Sequence, residues 1–238
     1  MIRVSNLTKS FNGQTILDHI NLHIQKGEIV VILGESGTGK SVFLKHLVGL
    51  LKPDDGEVFL EERDITKITE REFLKVRENI GYLFQEGALY DFMNVFDNIA
   101  FPLREHTRFS RKQIKEKIEN ILALIDLKGV EEKFPAELSG GMKKRVALAR
   151  ALILNSKILL CDEPTSGLDP IRSRDISELI RNVSKKIECT TIVTSHDIHN
   201  SFAMADRLVL IKDGKIVIDG TQEDLKASNI PFVQEFLK

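Results

Sequence analysis

Eight residues, Gly34-Glu-Ser-Gly-Thr-Gly-Lys40-Ser41, restrict what this chain can fold into more than any other stretch. They fit G-x-x-x-x-G-K-[ST]; a β-branched run, Glu28-Ile-Val-Val-Ile-Leu33, comes before them and helical spacing through Leu51 comes after. A strand buried on both faces, a glycine-rich turn and a helix, in that order, make a phosphate site. Gly37 and Gly39 let backbone N–H groups turn toward an anion, and the helix from Lys40 adds the positive end of its dipole. The expected nucleotide contacts run over Gly34, Glu35, Ser36, Gly37, Thr38, Gly39, Lys40, Ser41 and Val42, with Lys40 at the β- and γ-phosphates and Ser41 on Mg²⁺. A glycine-rich turn with no ligand is the alternative, and agreement between motif and flanking elements weighs against it.

The rest of the chain supplies a sheet for that unit. Ile2 to Ile24 alternates and is broken by Asn12-Gly13, which predicts two antiparallel strands and a turn; Glu57 to Leu60 returns to the same layer after Pro53-Asp-Asp-Gly56. From about Thr69 to Ala136 helical spacing dominates, with Ile114, Ile118, Ile121, Leu122 and Ile125 on one face. Beyond Leu138 the order is helix (Lys143 to Leu154), strand (Ile158 to Cys161), helix (about Arg172 to Lys186), strand (Thr190 to Thr194), helix, then a hairpin around Lys212-Asp-Gly-Lys215. That alternation predicts a largely parallel α/β sheet. Lys and Arg number 34 against 35 Asp and Glu, a balance without the basic footprint of a nucleic-acid binder. Cys161 and Cys189 sit in apolar runs with no ligand spacing and are expected as buried reduced thiols of a cytosolic protein. No apolar run approaches the roughly 18 residues of a spanning helix, and Met1 to Phe11 has no apolar core of a signal peptide, so neither crossing nor export is expected.

Two further segments carry chemistry. Ile158-Leu-Leu-Cys-Asp162-Glu163 is an apolar strand ending in two acids, placed for Asp162 to hold magnesium and Glu163 to polarise an attacking water as general base; capping the next helix is the plainer role. Leu138-Ser139-Gly140-Gly141-Met142 opens a helix and, alone, is only an N-cap. Its place roughly 100 residues after the phosphate loop and about 20 before Asp162 makes it specific.

Together these segments resemble an ATP-binding-cassette (ABC) ATPase, a P-loop NTPase with an N-terminal antiparallel β layer and an inserted helical subdomain, here approximately residues 86–138 of a single domain over 1–238. The resemblance implies ATP and Mg²⁺ as ligands. It implies that Gln85, after the apolar strand Ile80 to Phe84, joins the magnesium and catalytic set; that Asp169, in Ser166-Gly-Leu-Asp169, lies in the D-loop; and that His196 senses the γ-phosphate, with a structural histidine as alternative. Phe11 lies where the family stacks an aromatic on adenine, although an edge or core phenylalanine fits the same pattern. Two copies are expected to pair head to tail, Ser139, Gly140, Gly141 and Met142 of one facing the ATP of the other; Met142 departs from the commoner glutamine. His19, His23, His46, His106 and His199 match no site.

The segment after Gln85 carries Leu89, Tyr90, Phe92, Met93, Val95 and Phe96, where the family docks a membrane permease; about half are expected to be core instead. This stretch, Met142 and Pro231-Phe-Val-Gln-Glu-Phe-Leu237 resemble the ATPase subunits of Mla/Mce-type phospholipid transporters. That implies a permease, lipid-binding accessory proteins and a peripheral place on the cytoplasmic face of the cell's inner membrane. The ATPase of another ABC importer or exporter, for amino acids or lipoproteins, shares every catalytic motif. A ribosome- or DNA-acting cassette or a GTPase is disfavoured by the single cassette, the near-neutral charge and the lack of N-K-x-D.

Overall fold

A computed structural model describes residues 1–237. The chain opens on β1 (Ile2–Phe11) and β2 (Gln14–Ile24), paired antiparallel with Phe11 opposite Gln14. Asn12 and Gly13 both take positive φ, the backbone a two-residue turn needs to match strand twist. β4 (Asp55–Leu60) and the two-residue β5 (Arg63–Asp64) complete a four-stranded antiparallel layer in the order β2-β1-β4-β5.

The second sheet has six strands. β3 (Ile29–Leu33), β6 (Ile80–Leu83), β7 (Ile158–Asp162), β8 (Thr190–Ser195) and β9 (Arg207–Lys212) run parallel, and β10 (Lys215–Gly220) turns back on β9 through Asp213-Gly214. The order is β10-β9-β3-β8-β7-β6. Every residue of β3, β7 and β8 is buried, as expected for strands covered on both faces. Side chains alternate between two apolar cores: Ile29, Val31 and Leu33 face the helices, while Val30 and Ile32 face the antiparallel layer.

The helices are α1 (Lys40–Leu47), α2 (Glu70–Arg77), α3 (Val95–His106), α4 (Arg111–Leu124), α5 (Gly140–Leu152), α6 (Pro170–Lys186), α7 (Ile198–Met204), α8 (Gln222–Ala227) and α9 (Pro231–Phe236). α1 stops at Leu47 rather than Leu51, because Gly49 takes φ +65 and Pro53 follows. α5 starts three residues earlier than its apolar spacing indicates: Ser139 accepts from the Met142 N–H and draws both glycines into the first turn. β6 lies inside the helix-rich stretch and forms the edge of the parallel sheet. α4 buries Ile114, Ile118 and Leu122, and α3 buries Val95, Ile99 and Leu103, in the same core as the helix-facing side of β3 and β7. No helix among the described residues is long and apolar enough to cross a membrane.

Candidate functional site: a phosphate loop and two acids at the strand ends

The parallel register aligns the carboxyl ends of four strands, Leu33 opposite Ser195, Asp162 opposite Thr194 and Leu83 opposite Cys161. Ligands of open α/β sheets bind at this edge. Loop 34–39 leaves β3 here. A Cβ on Gly34 would lie 2.7 Å from the Ile211 carbonyl oxygen, and one on Gly39, at φ +94, 2.9 Å from the Ile16 carbonyl oxygen; only glycine fits either place. Gly37, at φ +83, meets nothing within 4 Å and opens to solvent with Glu35 and Ser36. Thr38 donates to the Glu35 carbonyl oxygen at 2.9 Å, and Val42 packs against the core below.

Lys40 is 4% exposed, and its ammonium donates to the carbonyl oxygens of Gly34 and Glu35, both at 2.8 Å. Burial pulls its pKa below the ordinary lysine value, while the charges of Glu163, 3.5 Å away, and Asp162 act the other way. Next to it, Ser41 Oγ donates to Asp162 Oδ1 at 2.8 Å. Thr194 Oγ1 donates to the same oxygen at 2.8 Å and accepts the Glu163 N–H at 3.0 Å, while the Tyr82 hydroxyl donates to Oδ2 at 3.2 Å. Burial, then the Asp162 charge, pushes the Tyr82 hydroxyl far above its ordinary pKa and keeps it a donor. Glu163 takes φ +43, an uncommon conformation for a residue with a side chain, and its Oε2 lies 3.4 Å from His196 Nδ1.

Lys40, Ser41, Asp162, Glu163 and His196 thus lie together at the strand ends. A hydroxyl and a carboxylate are hard oxygen donors, the chemistry of a magnesium site that one carboxylate shares with nucleotide phosphates and water. Among the described residues no group of three or more His, Cys, Asp or Glu is placed to hold a metal ion. Gln85 is exposed just past β6; its Nε2 donates to Ser166 Oγ at 3.2 Å and its carbonyl accepts from Lys144. Asp169 caps α6 by accepting the Arg172 N–H at 3.0 Å. Gly140 faces Leu168 closely enough that a Cβ would come within 3.2 Å. Among the described residues no hydrogen bond or ion pair joins Ser139, Gly140, Gly141 or Met142 to loop 34–41; the N-terminus of α5 is presented outward. Phe11 is 40% exposed at the end of β1, so it is not a core residue, and β2 of the same hairpin sets Ile16 against Gly39.

Sequence reasoning missed Tyr82, Thr194 and Lys144. The available signal was a polar atom inside an otherwise apolar strand, together with a lysine on the core-facing stripe of α5.

Residues 17–166 match the ABC transporter family. The "Intermembrane phospholipid transport system ATP-binding protein MlaF" of Haemophilus influenzae is 40% identical over 238 residues, all of this chain and 90% of that protein. The "Probable ribonucleotide transport ATP-binding protein mkl" of Mycobacterium tuberculosis is 45% identical over 99% of this chain, which spans only 66% of that relative's length. A solved dimer, the post-hydrolysis state of the ATP-binding cassette MJ0796 bound to ADP and Pi, superposes with a TM-score of 0.85 at 31% identity, over 93% of this chain and 98% of that one. A phosphate loop, two acids and a histidine gather on one sheet edge, and the family match, which covers more than half of the sequence, places this chain in the ABC transporter family.

Proposed function

We propose that the chain powers phospholipid movement through a membrane permease of the Mla/Mce type, working as a head-to-tail pair on the cytoplasmic face of the membrane with lipid-binding accessory proteins. The observation that carries this reading is the 40% identity, end to end, with the phospholipid-transport ATPase of Haemophilus influenzae. In this reading the loop N–H groups, the α1 N-terminus and Lys40 hold the β- and γ-phosphates. Ser41, Asp162 and Gln85 would hold magnesium, which when bound would neutralise the phosphate charge. Glu163 takes the proton of the attacking water, and His196, within 3.4 Å of that carboxylate, orients it toward the γ-phosphate. Phe11 stacks on adenine. Because the N-terminus of α5 is presented outward, Ser139, Gly140, Gly141 and Met142 would meet the nucleotide of a second copy, with Asp169 at the same seam.

Segment 85–106 supplies the permease surface. Val95 is buried and Leu89 and Phe96 pack against the core, whereas Tyr90 is exposed and Phe92 is 76% exposed. Buried Asn98 shapes this turn, accepting the Tyr90 N–H at 2.8 Å and donating to the Tyr90 and Met93 carbonyl oxygens. Beside it, Tyr82, Phe84, Tyr90, Phe101, Pro102 and Arg150 line an open groove of about 400 Å³, room for two or three apolar anchor side chains of a docked helix. Affinity isolation from membranes, with mass spectrometry of the co-purified permease and lipid, tests the proposal. Recovery of a permease with bound phospholipid supports it; a permease that carries ribonucleotide, methionine or another soluble solute instead overturns it.

A further inference from the structure

α5 is tied to the segment that carries Gln85 by two cations. Lys144, one turn along the helix from Gly140, is 6% exposed, and its ammonium donates to the Gln85 carbonyl oxygen. Arg150, further along, donates through Nη2 to the Gly87 carbonyl oxygen at 2.8 Å. Between these anchors, the Gly87 N–H closes a turn on the Phe84 carbonyl oxygen at 2.8 Å. Gln85 lies outside any helix or strand, so its position is set by these contacts and by its side chain's bond to Ser166.

The Lys144 contact costs the fold stability. Among the described residues no ion pair involves this ammonium, and its sole hydrogen-bond acceptor is a neutral carbonyl. A buried cation so poorly compensated is less favourable than a methionine of similar length. What it supplies in return is the fixed place of one backbone oxygen.

We propose that Lys144 is a positioning residue for ATP hydrolysis, holding Gln85 in register with the Lys40–Asp162–Glu163 cluster by gripping its backbone carbonyl from α5. The proposal rests on the reading of Gln85 as part of the magnesium and catalytic set. Because α5 begins at the outward-facing Ser139-Gly140-Gly141, the same rigid helix joins the surface that meets the partner's nucleotide to the residue that serves its own.

The test is steady-state ATPase kinetics of the purified full chain with Mg·ATP for Lys144→Met, Lys144→Gln, Gln85→Ala and the double variant Gln85→Ala/Lys144→Met, with melting temperatures alongside. Lys144→Met is expected to lower kcat roughly tenfold or more, the scale of a misplaced catalytic group, while KM for ATP moves less than about threefold. Its melting temperature should equal or exceed the parent's, and Lys144→Gln, which keeps an N–H donor, should lose less activity. The double variant should be no slower than Gln85→Ala alone, because both changes remove one function. Parental kcat in folded Lys144→Met, a Lys144→Gln variant slower than Lys144→Met, or multiplicative losses in the double variant overturns the proposal. If Gln85→Ala itself turns over at the parental rate, the reading of Gln85 has failed, a different result from a silent Lys144 beside a crippled Gln85.

Discussion

Replacing Thr194 with valine isolates the one hydroxyl that holds both acids of the site. Thr194 is fully buried; Oγ1 donates to Asp162 Oδ1 at 2.8 Å and accepts the Glu163 N–H at 3.0 Å. Valine fills the same volume and removes both bonds. Asp162 keeps Ser41 and Tyr82, so its loss is one charge-assisted bond, about 1.5–3 kcal/mol, and the orphaned Glu163 N–H adds about 1–3 kcal/mol. The buried methyl returns roughly 0.8 kcal/mol. A net loss of about 2–5 kcal/mol corresponds to a fall of roughly 4–20 °C in melting temperature for a chain of this size. Urea unfolding with an unchanged slope, read alongside ATPase kinetics, measures it. Activity should drop about tenfold, since Glu163 at φ +43 loses the bond that over-determines its backbone. A variant within 2 °C of the parent, with the parent's kcat, would refute this account of the strand ends; Thr194→Ser should recover most of both.

Other outcomes follow from neighbouring features. Glu163→Gln should bind Mg·ATP and accumulate as a dimer on gel filtration while turning over very slowly; normal turnover measured within the complex would remove its role as general base. Phe92→Glu should leave melting temperature and nucleotide binding unchanged and weaken permease recovery, whereas Leu89→Glu, packed against the core, should lower stability itself; full recovery with Phe92→Glu rules out that face as the docking surface. His46 is buried, with Nδ1 2.8 Å from the Val42 carbonyl oxygen, and burial holds its pKa below 6.5. The unfolded chain therefore takes up the proton first as pH falls, so the stability this residue contributes is present above about pH 6.5 and shrinks below it until the folded pKa is reached. Melting temperature should drop more steeply between about pH 7.5 and 5.5 in the parent than in His46→Leu, and parallel profiles would refute it.

Legibility in the sequence followed the range of the interactions. The phosphate loop was readable because positive-φ glycines between a strand and a helix act over a few residues, and Asp162 and Glu163 because they end an apolar strand. Tyr82 and Thr194 were not, since their bonds to Asp162 cross 80 and 32 residues of chain and exist only once β6, β7 and β8 are in register. β5, α8 and α9 span 2, 6 and 6 residues, too few to display a period. In segment 89–96 the apolar residues were plain in the sequence, but it lacks a helical or strand period before Val95. Which side chains face inward was decided by Asn98, whose amide dictates the turn.

The alternation along β3 makes the parallel sheet a wall shared by two rooms. Ile29, Val31 and Leu33 belong to one core and Val30 and Ile32 to the other, and β7 and β9 divide their residues in the same way. Sliding β3 by one position would exchange the contents of both cores at once, so the strand that delivers the phosphate loop is locked in register from both sides. Neither core can melt while the other stays intact, because each would strip one face from the same strands. Heat should therefore take the antiparallel layer and the helices apart in a single step, and a fragment that keeps the loop but drops either layer would hold its glycines on a strand with nothing to press against.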